Sequence, residues 1–414
     1  MIEWSEQHLM IRDAVRRFVE EEIAPNLEEL EHGDTPPYDI LRKLFRTFGM
    51  EEMARSRFEK QIATEKRVAA GEDPPKKDES AGEVGGRGDA VAMTMIPIIE
   101  ICRYCPGMVT AMGVSTGLTS AAIMSKGTIE QKERWGLDLL TMDKIGAWAI
   151  TEPGSGSDAF GSMKSTARDN GDGSYTLNGN KTFITNGPYA DTIVFICKLE
   201  EAGVDPKDRK IMNFVLDSGT KGLTQSKPMR KMGLHSSPTG ELFLTDVVVS
   251  NDHLLGGKPV ERKSSGAKDT FSMERAGVAA MALGMIDRCL ELSLKYARER
   301  VQFGRPIGEF QLIQDKLARM EVARFNVENM VFRTIESAEK GRGISFAEAS
   351  AMKLYSARAA VEVAMEAVQI YGGNGYMSEY RVEQLARDAK VLQIYAGTDE
   401  IQISSIAREL LSRP

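Results

Sequence analysis

Between about Lys144 and Val249 the chain stops reading as helix, and that block constrains the fold more than any other feature. Short runs rich in β-branched and aromatic residues, Trp148-Ala-Ile-Thr, Thr192-Ile-Val-Phe-Ile-Cys, Ile211-Met-Asn-Phe-Val-Leu and Leu242-Phe-Leu, alternate with the turn signals Asn170-Gly-Asp-Gly, Asn178-Gly179 and Asn186-Gly187. Such runs predict a β module. On either side, apolar residues recur at helical spacing. Ile11, Val15 and Phe18 share one face of a segment from Ser5 to Glu22 that Pro25 closes; Ala92–Leu140, Ser272–Arg300 and Pro306 to the C-terminus read as helix as well. The expected order is a helical domain over 1–143, a β domain over 144–254 and a second helical domain over 265–414.

A chain of 414 residues supports two or three domains of this kind. Its formal charge of -7 comes from interspersed acids and bases, so it lacks the basic stripe of a nucleic-acid binder. No apolar run is expected to approach the roughly 20 residues of a membrane span. The first residues form a polar amphipathic segment instead of a signal peptide, which gives a cytoplasmic location as the expectation. Cys102 and Cys105 form one CxxC pair, Cys197 and Cys289 stand alone, and His8, His32, His235 and His253 show no ligand spacing, so neither a disulfide framework nor a metal site is expected.

Gly71–Asp89 is polar and rich in Gly and Pro, and reads as a loop. At the start of the last helical block, Ala276, Gly277, Ala279, Ala280, Ala282 and Gly284 leave little side-chain bulk. Either a neighbouring helix packs closely there or a flat ligand does.

Several local motifs carry chemistry. Thr151-Glu-Pro-Gly-Ser-Gly-Ser-Asp158 follows a β run and holds two glycines that let backbone amides approach an anion or a ring edge. It lacks both the βαβ setting of a dinucleotide fingerprint and the lysine of a phosphate loop. Phe183 and Thr185, two positions apart on a strand, share a side, where a heterocycle could stack on one and bond the other. Gln369-Ile-Tyr-Gly-Gly-Asn-Gly-Tyr376 interrupts a helical run.

Taken together and in order, TEPGSGSD, NGNKTFITNG, ERVQFGRPI, QIYGGNGY and YAGTDEIQ resemble the acyl-CoA dehydrogenases, weakly over residues 1–50 and closely over 100–414. The resemblance implies an α+β, mainly α subunit: an N-terminal helical domain, a middle β-barrel or β-sandwich domain, and a C-terminal four-helix bundle. It implies FAD held non-covalently between the β domain and the C-terminal helices of a homotetramer, a dimer of dimers. Trp148, Ile150, Thr151, Gly156 and Ser157 would line the flavin and its diphosphate, with Phe183 and Thr185 at the ring system. Arg300, Gln302 and Phe303, with Gln369, Gly372 and Gly373, would reach the ADP half of a cofactor in a neighbouring subunit. Thr398 and Glu400 would complete the site near the diphosphate and adenosine. An arginine beside phosphate is chemically apt, because its fork can bond two oxygens.

Desaturating a thioester requires a base for the α proton while a hydride passes from the β carbon to flavin N5. Many members of this family place a glutamate directly before the late Gly-Thr pair, where this chain has Ala396. Isovaleryl- and long-chain acyl-CoA dehydrogenases carry it instead before an arginine at the start of the helix after the β domain, and here that pair is Glu274-Arg275. Glu274 is the expected base; without that pattern it would read as a first-turn acid favoured by the helix dipole. Arg275 would support the site wall or the CoA chain, and Ser272 would contact CoA or cap the helix. Ser157, Tyr395, Ala396 and Gly397 would also contact substrate. The Ala396 N–H and a ribityl hydroxyl would share the thioester oxygen.

Two departures from the family stand out. Residues 58–90 form a longer, highly charged connection than its members carry, a lid or partner surface on one reading and a surface insertion on the other. Gly113–Thr119, with its small residues, would leave room deep in the acyl pocket. The expected activity is an acyl-CoA dehydrogenase passing electrons to an electron-transfer flavoprotein. The alternatives are a non-catalytic FAD- or acyl-CoA-binding subunit of a hetero-oligomer, or an acyl-CoA oxidase.

Overall fold

The computed structural model describes residues 3–73, 86–258 and 266–412, with the backbone alone for 266–274. Helices α1 (Glu6–Phe18), α2 (Leu27–His32), α3 (Tyr38–Thr47), α4 (Met50–Ala69), α5 (Arg87–Cys102), α6 (Pro106–Met112), α7 (Ser120–Lys126), α8 (Ile129–Gln131) and α9 (Leu137–Leu140) form the first part. Ser5 caps α1 and His8 closes the capping box, while Val15 and Phe18 are buried as their spacing requires. The helical path runs on through a π turn, Val19–Ile23, before Pro25 enters a 3₁₀ turn.

The charged connection is helical for longer at both ends than its composition suggests. α4 carries the chain from Phe58 to Ala69, with Phe58 and Ile62 buried and Glu65 paired to Lys132. α5 already begins at Arg87, inside the segment expected as loop. Residues 74–85 of that expectation lie outside the described residues. A second expectation needs amending: α6, the π-helical turn Gly113–Thr119 and α7 join into one 21-residue helix, Pro106–Lys126, apolar and long enough to cross a bilayer by composition. Half of that window is buried inside the fold, as in a core helix.

Strands β1 (Gly146–Ala149), β2 (Thr166–Asp169), β3 (Ser174–Thr185), β4 (Thr192–Leu199), β5 (Ile211–Asp217), β6 (Leu223–Gln225) and β7 (Thr239–Ser250) make one seven-stranded mixed sheet. β4 pairs antiparallel with β5 on one edge and parallel with both β1 and β2 on the other. The hairpin signals did not foreshadow those parallel pairs. Asn170–Gly173 does turn between β2 and β3, but Asn178-Gly179 lies within β3, where Gly179 marks a bulge against β7. Val194 and Phe195 are both fully buried, as expected of a central strand covered on two faces.

α10 (Gly266–Glu299), a two-strand hairpin of β8 (Val301–Gln302) and β9 (Arg305–Pro306), α11 (Gln311–Glu339), α12 (Phe346–Tyr371), α13 (Val382–Val391) and α14 (Asp399–Leu411) complete the chain. Most of the small residues of α10 serve helix packing, Gly277 excepted, where a Cβ would meet nothing within 4 Å. Ala279, Ala280 and Ala282 are buried, and a Cβ on Gly284 would stand 2.1 Å from the Ile99 carbonyl oxygen of α5. The two helical parts therefore share one continuous core, from Val15 and Ile99 to Met285 and Val363, while the sheet keeps its own around Leu177, Phe214 and Leu242.

Candidate active site

After α13 the chain turns through Tyr395-Ala396-Gly397 into α14, where the Thr398 hydroxyl caps the helix by accepting from the Ile401 N–H. Ala396 and Gly397 both adopt left-handed φ, 53° and 87°, which alanine rarely does. Their carbonyls are anchored. Gln402 Nε2 donates to the Ala396 oxygen at 3.0 Å and to the Gly397 oxygen at 2.8 Å, and the fully buried Lys353 Nζ donates to the Gly397 oxygen at 2.8 Å. Asp399, buried at the start of α14, lies 3.9 Å from Lys353 and bonds Arg358 at 2.9 Å. Tyr395 donates its hydroxyl to Met281 Sδ on α10.

Arg275 brings the start of α10 to the same turn. It is 6 % exposed, donates to Ser350 Oγ at 2.7 Å, lies 4.0 Å over the Phe346 ring, and sits 3.7 Å from where a Cβ on Gly397 would stand. The side chains of Glu274 and Ser272 lie outside the described residues; their backbone belongs to α10, and Glu274 directly precedes the arginine that meets the turn. Glu400 is exposed on α14, and its own backbone N–H and the Thr398 hydroxyl hold its carboxyl below the usual range. A negative group there suits a hydroxyl or amine better than a phosphate.

In the β domain, the 151–158 loop is pinned at its root and open at its tip. Lys181, buried within β3, donates to the Ile150 carbonyl at 3.0 Å and to Glu152 at 2.9 Å, and Glu152 also accepts from the Lys164 and Ser165 N–H groups. Burial pushes the Lys181 ammonium down against the pull of Glu152. Burial works to raise Glu152 too, but Ser165, Lys181 and the Lys164 N–H hold it below its ordinary value. Gly156 and Ser157 are exposed, and nothing lies within 4 Å of a Cβ built on Gly154 or Gly156. Trp148, Ile150 and Thr151 are half-buried, with the Thr151 carbonyl accepting from the Thr182 N–H at 2.9 Å.

Phe183 follows at once, in a bulge of β3, with φ of 58° and 65 % of its surface exposed. Ile184 is buried between it and the half-buried Thr185, and the bulge interrupts the plain alternation that would place the two on one side. One residue later Asn186 is fully buried at φ 63°. It donates to the carbonyls of Ala111 and Gly146 and accepts from the Tyr38 hydroxyl, locking sheet to N-terminal helices. The Leu234 N–H ties the sheet to Asp388 of α13 at 2.5 Å. Sequence reading missed Lys181, Glu152, Asn186 and Lys353. The available signal was a lysine at an inward position of a β run and another within an alanine-rich helix.

The remaining candidates gather elsewhere. Phe303 and Gly304, with φ of 53° and 80°, form the tight turn of the β8–β9 hairpin, and Phe303 is 94 % exposed. Arg300 and Gln302 flank it, both exposed. Gln369, Gly372 and Gly373 are exposed at the end of α12, tied to the hairpin's root by Tyr371 stacked on Tyr296 at 4.0 Å and by Asn374 donating to the Tyr296 hydroxyl. Lys353 and Gln369 stand sixteen residues apart on α12, about 24 Å along the axis at 1.5 Å per residue. The structure thus separates the C-terminal candidates into a near group around the 395–400 turn and a distal group at the other end of α12, with the β-domain candidates as a third set.

Among the described non-glycine residues, positive φ occurs at Met142, Phe183, Asn186, Leu234, Asp246, Phe303 and Ala396. Three of these are candidate site residues. Backbone strain of this kind persists where surrounding contacts enforce it, often at functional positions. The exposed Phe183 ring, the open glycine cradle and the capped start of α14 fit a flavin with its diphosphate; the exposed arginine and aromatic of the distal group fit an adenine nucleotide end.

Models of the acyl-CoA dehydrogenase N-terminal domain match residues 5–61 and 80–143, of the middle domain 147–247, and of the C-terminal domain 265–411. The gap between 61 and 80 falls in the charged connection. The chain is 36 % identical to an acyl-CoA dehydrogenase of Bacillus subtilis, covering 98 % of each. It is 35 % identical to a 3-(aryl)acrylate reductase of Clostridium sporogenes, covering 99 % of each. The structure of butyryl-CoA dehydrogenase from Megasphaera elsdenii superposes with a TM-score of 0.80 at 31 % identity, covering 99 % of each chain.

Proposed function

This chain belongs to the acyl-CoA dehydrogenase family of FAD-dependent oxidoreductases, and from that premise we propose that it oxidises an acyl-CoA thioester to the trans-2-enoyl-CoA with Glu274 as the base. One observation carries the assignment of the base: Arg275 lies against Gly397, so α10 delivers the residue beside Glu274 to a turn whose own candidate position is the methyl group of Ala396. A methyl cannot accept a proton, and a carboxylate from the facing segment can.

FAD, when bound, supplies the two-electron acceptor for the β hydride. Trp148, Ile150, Thr151, Gly156, Ser157, Phe183, Thr185, Thr398 and Glu400 would hold it from one subunit, and Arg300, Gln302, Phe303, Gln369, Gly372 and Gly373 from a second. The protein's own residues do the rest. The Ala396 N–H has no acceptor among the described residues, and would bond the thioester oxygen as enolate-like charge develops there. Ser157, Ser272, Arg275, Tyr395 and Gly397 would shape the path of the thioester and its CoA chain. A substrate seated over Glu274 excludes water and raises its carboxyl, making it a better proton acceptor near neutral pH. The small residues of Gly113–Thr119 leave room for the acyl chain; a Cβ on Gly113 or Gly117 would meet nothing within 4 Å.

The exposed distal group supports assembly into a homotetramer, and family membership supports electron-transfer flavoprotein as the electron acceptor. The test is anaerobic titration of the FAD-loaded protein with straight, branched and aromatic acyl-CoAs. Bleaching of the flavin absorbance by one class is the expected result, and no bleaching by any would contradict the reading. Peroxide formation in air at the rate of turnover would favour the oxidase. The relative named a reductase runs a like exchange in the opposite sense by its name, so reoxidation of the reduced protein by enoyl-CoAs checks the direction.

A further inference from the structure

We propose that Lys353 and Gln402 are positioning residues for the reaction, holding the 396–397 turn so that the Ala396 N–H stays aimed at the thioester oxygen; the inference rests on the acyl-CoA reading above. Four observations meet here. Ala396 and Gly397 hold consecutive left-handed conformations that an unconstrained alanine leaves. Both carbonyls are drawn to one side, by a Gln402 amide that reaches the two of them and by the Lys353 ammonium on the second. With φ and both carbonyls fixed, the direction of the Ala396 N–H is fixed as well, and among the described residues nothing accepts from it.

The fourth observation is where these anchors come from. Lys353 and Gln402 are fully buried and reach the turn from two different helices, α12 and α14. Removing an ammonium from water is unfavourable, and a methionine would fill the same space without that cost. Asp399, 3.9 Å from Lys353 and bonded to Arg358, keeps the charge tolerable. A charge-assisted bond to a carbonyl is shorter and stiffer than a neutral one, which is what a donor needs if it is to meet a developing oxyanion without reorganising. In a chain whose base sits on another segment, the turn has no side chain of its own to offer; its contribution is this N–H.

The test uses the FAD-loaded protein and acetoacetyl-CoA, a thioester whose α proton ionises to an enolate with its own near-ultraviolet absorbance. In wild type, the bound probe is expected to ionise well below its pKa in water. Lys353→Met is expected to raise the bound probe's pKa by about 1 unit or more and to lower kcat about 10–100-fold, the range of a lost charge-assisted bond, and Gln402→Leu, which loses two neutral bonds, to shift both in the same direction with kcat falling about 10-fold, KM moving less than about threefold in each. Lys353→Arg should recover part of both. Unchanged probe ionisation in a folded, FAD-bound Gln402→Leu or Lys353→Met protein would overturn the proposal while leaving the acyl-CoA reading intact. A wild-type protein that neither bleaches with acyl-CoAs nor ionises the probe would overturn both. Gln402→Leu removes no charge, so it keeps the test open should Lys353→Met not fold.

Discussion

The near and distal groups of candidate residues are built in opposite ways. Around the 395–400 turn, positions are held from within the chain: Lys353, Gln402 and Arg275 are buried, and each is bonded to or packed against backbone that matters. At the β8–β9 hairpin nothing comparable is present among the described residues. Phe303 is 94 % exposed at a strained φ, Val301 is 53 % exposed, and Tyr376 nearby in sequence to Gly373 is 81 % exposed. Leaving a phenylalanine in water forgoes roughly 1.5–3 kcal/mol of burial. A lone chain has no use for that arrangement. The near group is held by buried contacts within the chain, whereas the distal group is left open to solvent, as the proposed second copy would require.

Complementation between two disabled proteins carries the largest expected effect. Arg300→Ala with Phe303→Asp disables the distal group, and Glu274→Gln disables the near one; each protein alone should retain about 1 % of activity or less. Co-expressed, mixed dimers contain one site built from the two intact halves, so activity per mixed dimer should return to about half of wild type if each dimer holds two independent sites. No recovery in purified mixed dimers would mean that both groups serve a site within one chain.

Lys181→Met probes the root of the 151–158 loop. It strands Glu152 in the interior without its cation, and removing one member of a buried pair costs about 3–5 kcal/mol. Calorimetry should show a large loss of Tm with weaker FAD retention. Replacing exposed Arg300 by alanine should leave the thermal stability of the protein without cofactor within about 0.5 kcal/mol.

A pH profile probes a further place, the buried cluster between α2, the 231–235 loop and α13. Burial, reinforced by Asp388 and opposed by Arg387, pushes Glu31 up to about 8. Asp388 is raised as well, by burial, and His235 faces the same cluster. The folded protein therefore keeps a proton on Glu31 that the unfolded chain has lost above about 4.5, so stability falls as pH climbs from there towards 8, by at most about 1.4 kcal/mol per pH unit. Lys231, pushed down to about 8 by burial, adds stability with rising pH only above that value. Glu31→Gln should flatten Tm between pH 5 and 8, and an unchanged slope would contradict the assignment. The smallest effect is expected at Phe303→Ser: little change in the melting of a dilute monomer, but weaker association by sedimentation.

Much of this was legible beforehand. The three-part order and the Gly372 turn follow from local pattern, because periodicity and glycine placement are local properties; the β8–β9 hairpin at Phe303 is not visible in it. What the sequence hid is long-range. Lys353 reads as one polar residue in an alanine-rich helix until α14 folds back beside it, 44 positions away from its carbonyl partner. Asn186 reads as a turn residue, yet its amide joins Tyr38, Ala111 and Gly146. Pro106–Lys126 failed to register as a long apolar helix because its glycines and threonines break up the pattern, and the π turn carries the helix through them.

On the proposed reading the proton is taken by α10 and not by the turn at Ala396. Rapid-mixing absorbance of the FAD-loaded wild type and Glu274→Gln, under nitrogen with whichever acyl-CoA bleaches the wild type, measures that step directly. The expected result is full FAD content in both proteins and a flavin reduction rate lower by about 10²–10⁴-fold in Glu274→Gln. Equal reduction rates in the two would contradict it.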